Sequence, residues 1–217
     1  MYIQFASERG WSIRHVFDTH IHADHLSRSR VLSDQTGAQL ALPEQQRVTF
    51  PHESLVEGSV IRLGQATLRA LHTPGHTLES MSYLVDDRWL LTGDTLFLAA
   101  VGRPDLEASP EQARTRALLL HGSLQRIFSL DPRLLVLPAH TSAPTAFDEN
   151  PVTASLATVR DAVKVSDSAE AFADHVLSRI PAAPPNHHAI VGFNEAGNLP
   201  SGDVTDLEAG ANRCAVA

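Results

Sequence analysis

Residues 18–25 read DTHIHADH, three histidines and two aspartates within eight positions. Imidazole nitrogens and ionised carboxylates are the ligands that zinc and ferrous iron accept. The alternation His20-Ile21-His22 sends both rings to one side of an extended chain, and Asp24 and His25 follow where the chain turns. Three more segments carry one metal-capable residue each: His76 in LHTPGHT, Asp94 in LLTGDTLF and His140 in LVLPAHT. Pro74-Gly75 makes a tight turn ahead of His76, and Gly93 does the same for Asp94. Taken singly, each motif is commonplace. Each of the four follows an apolar run, and together they point to ligands delivered from four strand ends, where loops converge above a rigid sheet.

Holding such loops together requires a layered frame. Residues 2–9 read as a helix end closed by Gly10. IRHVFDTH reads as a buried strand ending in the motif, and ADHLSRSRVLSDQTG as a helix stopped by Gly37. Residues 39–42 form a short strand, SVIRLG and ATLRALH two β-runs about Gly64, and 81–85 with 89–92 a hairpin about Asp86-Asp87-Arg88. Ser109-Pro110 starts a long helix over 111–130. Residues 133–137 are a strand leading to His140, and 153–165 and 169–180 are amphipathic helices. From Pro181 the chain reads as loop. Strand clusters separated by helices predict an α/β class. One domain is expected over 1–217, with 181–217 as a C-terminal extension packed on or trailing from the core.

The formal charge of −8 argues against nucleic acid or an anionic membrane as partner. No apolar run approaches the ~20 residues of a membrane span. MYIQFASERG lacks the basic lead and apolar stretch of a signal peptide. A single cysteine, Cys214, excludes an internal disulfide and reads as an inconsequential tail residue. A cytoplasmic location is expected. His15 reads as a packed or edge residue, and Pro74-Gly75 keeps His72 from sharing a helical ligand spacing with His76. His52, His121, His175, His187 and His188 read as surface or structural residues, and Trp11 and Trp89 as core or interface anchors.

HIHADH, TPGHT, GDTLF and PAHT, in this order, resemble the metallo-β-lactamase fold. THIHADH is most similar to the branch that holds glyoxalase II and the persulfide dioxygenases. VGRPDL, at 101–106, resembles the persulfide-dioxygenase-like, rhodanese-associated members more than glyoxalase II. The resemblance implies an αββα sandwich with a metal site at one edge of its sheets. Met1 falls inside what resembles the helix before the first motif, so the leading N-terminal strands are expected to be missing. The resemblance also implies two metal positions. One uses His20, His22, His76 and Asp94; the other uses Asp24, His25, His140 and the shared Asp94. Glyoxalase II fills both and attacks a thioester with a bridging hydroxide. Persulfide dioxygenases hold one ferrous iron on residues matching His20, His76 and Asp94, a facial triad with open positions. His22, Asp24, His25 and His140 then orient ligands and waters.

Two features favour the dioxygenase: VGRPDL itself, and the tail after Pro181, whose only fixed cation is Arg213 where glyoxalase II uses basic residues for glutathione. The expectation is a non-haem iron enzyme with one Fe(2+) per chain, acting on a glutathione-persulfide-type thiol substrate and O2, with catalytic roles at Asp24 and Asp94. Arg103 either meets a substrate carboxylate or pairs with Asp105 to hold its loop. The alternatives are a dinuclear hydrolase with one or two Zn(2+), and a truncated, non-catalytic partner in sulfur metabolism. A homodimer and a rhodanese-type sulfurtransferase are the protein partners considered. Three departures leave the substrate open: Arg28 stands where the family has glycine, and Ala100-Val101 and Thr141-Ser142 stand where human-type enzymes carry a cysteine and an Asp-Tyr pair.

Overall fold

The computed structural model describes residues 2–141, 145, 150–209 and 214–217. A short helix, Tyr2–Glu8 (α1), precedes strand His15–Phe17 (β1), helix Ser29–Thr36 (α2) and strands Gln39–Pro43 (β2) and Glu53–Leu55 (β3). The three strands form a parallel sheet in the order β1-β2-β3. Next come Val60–Leu63 (β4), Ala66–His72 (β5), Met81–Val85 (β6), Trp89–Leu91 (β7), Val101–Gly102 (β8), helix Pro110–Phe128 (α3) and Leu135–Leu137 (β9). Ala154–Ser155 (β10), Leu156–Val163 (α4), Ala169–Ser178 (α5), His187–Ala196 (α6), Thr205–Glu208 (α7) and Ala215–Val216 (β11) follow. The larger sheet runs β10-β9-β7-β6-β5-β4, and β11 pairs with β8.

Local chemistry explains most element ends. Ser109 and Gln112 form a reciprocal capping box ahead of Pro110, which satisfies two otherwise orphaned N–H groups of α3. Asp86 and Asp87 both have positive φ, 52° and 48°, the turn geometry that matches the twist of a tight β6–β7 hairpin. The parallel pairing of β7 with β9 needs a crossover, and α3 lies within it.

The larger sheet is covered on both faces. On one, Leu71, Leu84, Leu90 and Val136 meet Leu120, Leu124 and Ile127 of α3, and Phe172 and Val176 of α5. On the other, Leu68, Ala70, Met81 and Tyr83 meet Ala41 and Leu55 of the parallel sheet. Leu32 of α2 packs against the far side of that sheet with Val16, Leu40 and Leu42. Each such fully buried side chain contributes about 1.5–3 kcal/mol relative to exposure. The expected α/β class with helices outside two facing sheets is therefore the observed one.

The structure corrects several local readings. The helix predicted over 23–37 begins only at Ser29. The amides of Leu26 and Ser27 donate to Glu208 and Asn194 instead of to a helical turn. The stretch after Pro181 is not all loop, because α6, α7 and β11 lie there. The missed signal was the spacing of Ile190, Val191 and Asn194, which bury one face of α6. Trp11 is 62% exposed and anchors no core. Cys214, read as inconsequential, is buried. Arg213 and Ser142 lie outside the described residues.

Candidate metal centre

Four loops bring the expected residues together at the edge of the two sheets. The loop after β1 carries DTHIHADH and is held from below and from the side. Tyr83 donates its hydroxyl to the Asp18 carbonyl at 2.6 Å, and the Met81 amide donates to the Thr19 carbonyl at 2.9 Å. The Ile21 amide donates to Glu79. Asn194 of α6 clamps the remaining turn: its amide nitrogen donates to the carbonyls of His22 and His25, and its oxygen accepts from the Ser27 amide. Asp18 accepts from the hydroxyls of Ser27 and Ser29 at 2.7 Å each. Burial alone would raise the Asp18 pKa, but hydrogen bonds from His22 and the two serines bring it down to about 2.

Two of the other ligand loops, and the strand β8 behind them, rely on glycines. Gly75 has φ 146°, and a Cβ there would fall 2.4 Å from Leu120 Cβ; only glycine lets the His76 turn lie against α3. Gly93 has φ 49°, and its missing Cβ makes room for the Thr19 side chain. A Cβ on Gly102 would sit 1.8 Å from the Asp94 carbonyl oxygen, so β8 can pass directly beneath two of the expected ligands.

His20, His76 and Asp94 form one compact group. Each is at most 3% exposed, and one ligand atom from each lies within 4.8 Å of the others. The His76 Nδ1–H donates to the Arg103 carbonyl at 2.7 Å, which leaves Nε2 as a lone pair facing Asp94 at 3.7 Å. The rings of His20 and His76 meet edge to face at 4.8 Å. Burial and the neighbouring His22 push the His20 pKa well down, so this imidazole stays neutral. Burial would raise the Asp94 pKa, but the close approach of His140 and the nearby His20 and His76 hold it far below the carboxylate range. Neutral imidazoles beside an ionised carboxylate are the forms that bind metal.

The other expected ligands are arranged more openly. His140 Nε2 lies 3.4 Å from Asp24 and 3.3 Å from Asp94. His25 contacts Asp24 at 3.1 Å, and its side chain is 43% exposed. His22 turns Nε2 toward Asp18 at 3.6 Å. Asp24 also belongs to a second group, with His140 and the Cys214 thiol. The sequence offered no signal for this, because β11 delivers Cys214 from the far end of the chain by pairing with β8. A cleft of about 340 Å³ opens here, lined in part by Asp24, His25, Arg28, His140 and Glu208. Arg28 precedes α2 and pairs with Glu208 at this mouth.

A metal ion accounts for what the protein leaves unsatisfied. His20 Nε2, His22 Nδ1 and both Asp94 carboxylate oxygens are buried with no hydrogen-bond partner among the described residues. Orphaned buried acceptors of this kind carry a large desolvation cost, and here they share one site. Arg103, expected to meet substrate or hold its loop, is 1% exposed. Its guanidinium forks onto Asp105 at 2.7 and 2.8 Å and reaches the Ala182 carbonyl, the loop-holding arrangement.

The family model described as the Metallo-beta-lactamase superfamily matches residues 3–140. A hydroxyacylglutathione hydrolase from Rhizobium etli is 35% identical over 104 residues, which are 46% of this chain and 41% of that protein. One from Rhodospirillum rubrum is 32% identical over 139 residues, 63% of this chain and 48% of that protein. The chain thus spans about half the length of the curated relatives it matches. Among solved structures, a metallo-beta-lactamase from Staphylococcus aureus superposes with TM-score 0.80 at 28% identity, covering 90% of this chain and 62% of that one. ETHE1 from Myxococcus xanthus superposes with TM-score 0.77 at 29% identity, covering 91% of this chain and 83% of that one. No helix among the described residues is long and apolar enough to cross a membrane.

Proposed function

The chain belongs to the metallo-beta-lactamase superfamily, whose fold implies a divalent metal, zinc or iron, and from this we propose that it is a mononuclear non-haem iron dioxygenase acting on a low-molecular-weight persulfide. One observation carries the reading. His20, His76 and Asp94 form a buried two-histidine, one-carboxylate set, while His25 faces Asp24, and Asp24 faces His25 and His140. A facial triad of this kind suits ferrous iron and leaves coordination positions free. The superposition on ETHE1 from Myxococcus xanthus over 91% of this chain and 83% of that one, with the resemblance of VGRPDL to persulfide-dioxygenase-like members, supports it.

Ferrous iron, when bound, supplies the redox chemistry by which persulfide, dioxygen and water give sulfite, free thiol and two protons. The chain's own residues do the rest. Asn194, Glu79 and Tyr83 fix the ligand loop, and the Arg103 carbonyl fixes the His76 tautomer. His140 and Asp24 border the cleft on the open side, where they can orient substrate. The test is oxygen consumption by anaerobically iron-loaded protein with glutathione persulfide, alongside metal analysis. The reading expects stoichiometric sulfite and about one iron per chain; no uptake would sink it.

A dinuclear hydrolase of hydroxyacylglutathione-type thioesters is the second reading. The curated relatives and the approach of His140 to both Asp24 and Asp94 favour it. In that case His20, His22, His76, Asp24, His25, His140 and Asp94 would hold the metals, which would supply an activated water for hydrolysis. Two zincs per chain and thioester hydrolysis without oxygen uptake would establish it instead.

A further inference from the structure

Away from the metal centre, Glu107, His187 and His188 each offer one ligand atom, all within 4.8 Å of one another. We propose that these three residues form a separate binding site for a zinc-like divalent cation, which ties helix α6 to the loop after β8. Neither histidine was assigned a role from sequence, because Glu107 lies some eighty positions away and only the fold joins them.

The geometry at His187 is that of a histidine prepared to ligate. Its Nδ1–H donates to the Pro184 carbonyl at 2.9 Å, so Nε2 keeps its lone pair and faces Glu107 Oε1 at 3.5 Å. A backbone carbonyl on the other ring nitrogen is what fixes the tautomer of a metal-bound imidazole. Metal bonds of ~2.0–2.1 Å at tetrahedral angles separate ligand atoms by about 3.3 Å, so this pair already stands at the spacing an ion requires. His188 Nδ1 contacts the same carboxylate oxygen, and the two rings lie 4.0 Å apart. The His188 side chain is 75% exposed and is free to swing back and admit an ion. Glu107 is held at φ 55°, a value uncommon for a residue with a side chain. Two imidazoles and one carboxylate, with the remaining position open to water, make a set suited to zinc rather than to calcium or magnesium.

The site also bears on the metal centre. Helix α6 carries Asn194, which clamps the ligand loop. A cation at the first turn of α6 would brace the helix that holds that loop.

The probe is zinc chloride, titrated by calorimetry into the wild type, His188→Ala and Glu107→Gln, with hydrogen exchange of residues 187–196 followed with and without zinc. The proposal expects the wild type to bind one more zinc per chain than either variant, or to bind it at least about tenfold more tightly. It also expects zinc to slow exchange in α6 of the wild type alone. Equal stoichiometry and affinity in all three proteins, or zinc protection of α6 that survives in His188→Ala, would overturn it and leave Glu107 and the histidines as an ordinary ion pair. Both substituted side chains are partly or largely exposed, so misfolding does not confound the comparison.

Discussion

The two halves of the metal centre are built from the same residue types but in opposite ways. His20, His76 and Asp94 are buried, His20 Nδ1 is held by the Thr19 hydroxyl and His76 Nδ1 by the Arg103 carbonyl, and the chain passes behind them only because glycines allow it. Asp24, His25 and His140 face a cleft, and their neighbours are other side chains, with a loop and the C-terminal segment around them. A rigid, dry half can hold an ion at fixed geometry; an open half can admit a substrate. Ligand count does not separate one metal from two in this fold, and the proposed single iron puts the persistent ion on the buried half.

The largest effect that tests this contrast comes from Asp94→Ala. Asp94 approaches residues of both halves, so the expected outcome is loss of essentially all bound metal and of any activity, read by metal analysis after dialysis. A variant that keeps one metal per chain would show that the buried half does not depend on Asp94.

Gly75→Ala attacks the buried half through its support. The added Cβ would lie 2.4–2.7 Å from the Cβ, Cα and N of Leu120, backbone that cannot rotate away. The strain and repacking should cost about 2–4 kcal/mol of stability and lower metal retention, both measurable by chemical denaturation and metal analysis. An equally stable, fully loaded variant would mean that the turn before His76 is not fixed by its packing on α3.

Asp24→Ala addresses the open half. If one iron on the buried half does the chemistry, the variant keeps about one metal per chain and loses roughly 10–100-fold in rate, as expected for a group that orients rather than ligates. If two metals act together, the same change removes a direct ligand, and the stoichiometry falls from two to one. Counting metal in this variant is the shortest route between the two proposed reactions.

The buried half was legible in the sequence and the open half only in part, for a physical reason. His20, His76 and Asp94 each follow an apolar run and a turn-forming residue, and such local signals survive in a one-dimensional reading. Strands β1, β2, β4 to β7 and β9, the helix start at Ser109-Pro110 and the turn at Asp86-Asp87 were likewise local, whereas the short strands β3, β8, β10 and β11 were not read. What surrounds the open half comes from far along the chain. Asn194 and Glu208 replace the helical hydrogen bonds expected over 23–28, and Cys214 arrives beside Asp24 and His140 through a two-residue strand. Their sequence distance from the motif hid them. Even the helix that carries Asn194 was obscured, because PAAPPN and the glycines around it read as loop.

The smallest expected effect lies at the mouth of the open half, where Glu208 both pairs with Arg28 and accepts the Leu26 amide. The Arg28 hydrogen bond lowers the Glu208 pKa, against a smaller opposing contribution from burial. A carboxyl whose folded pKa is lowered stabilises the structure fully above its unfolded value, here 4.5, and loses that stabilisation as pH falls through the folded value below it. The pair is partly exposed, 47% and 23%, so the stabilisation is about 0.5–1 kcal/mol. Glu208→Gln should remove it at neutral pH, speeding exchange of the Leu26 amide while leaving exchange near His76 and Asp94 unchanged. On acidification the wild type should approach the variant only below pH 4.5. Faster exchange across both halves would mean that the C-terminal segment supports the whole centre, and the division between a rigid half and an open half would have to be abandoned.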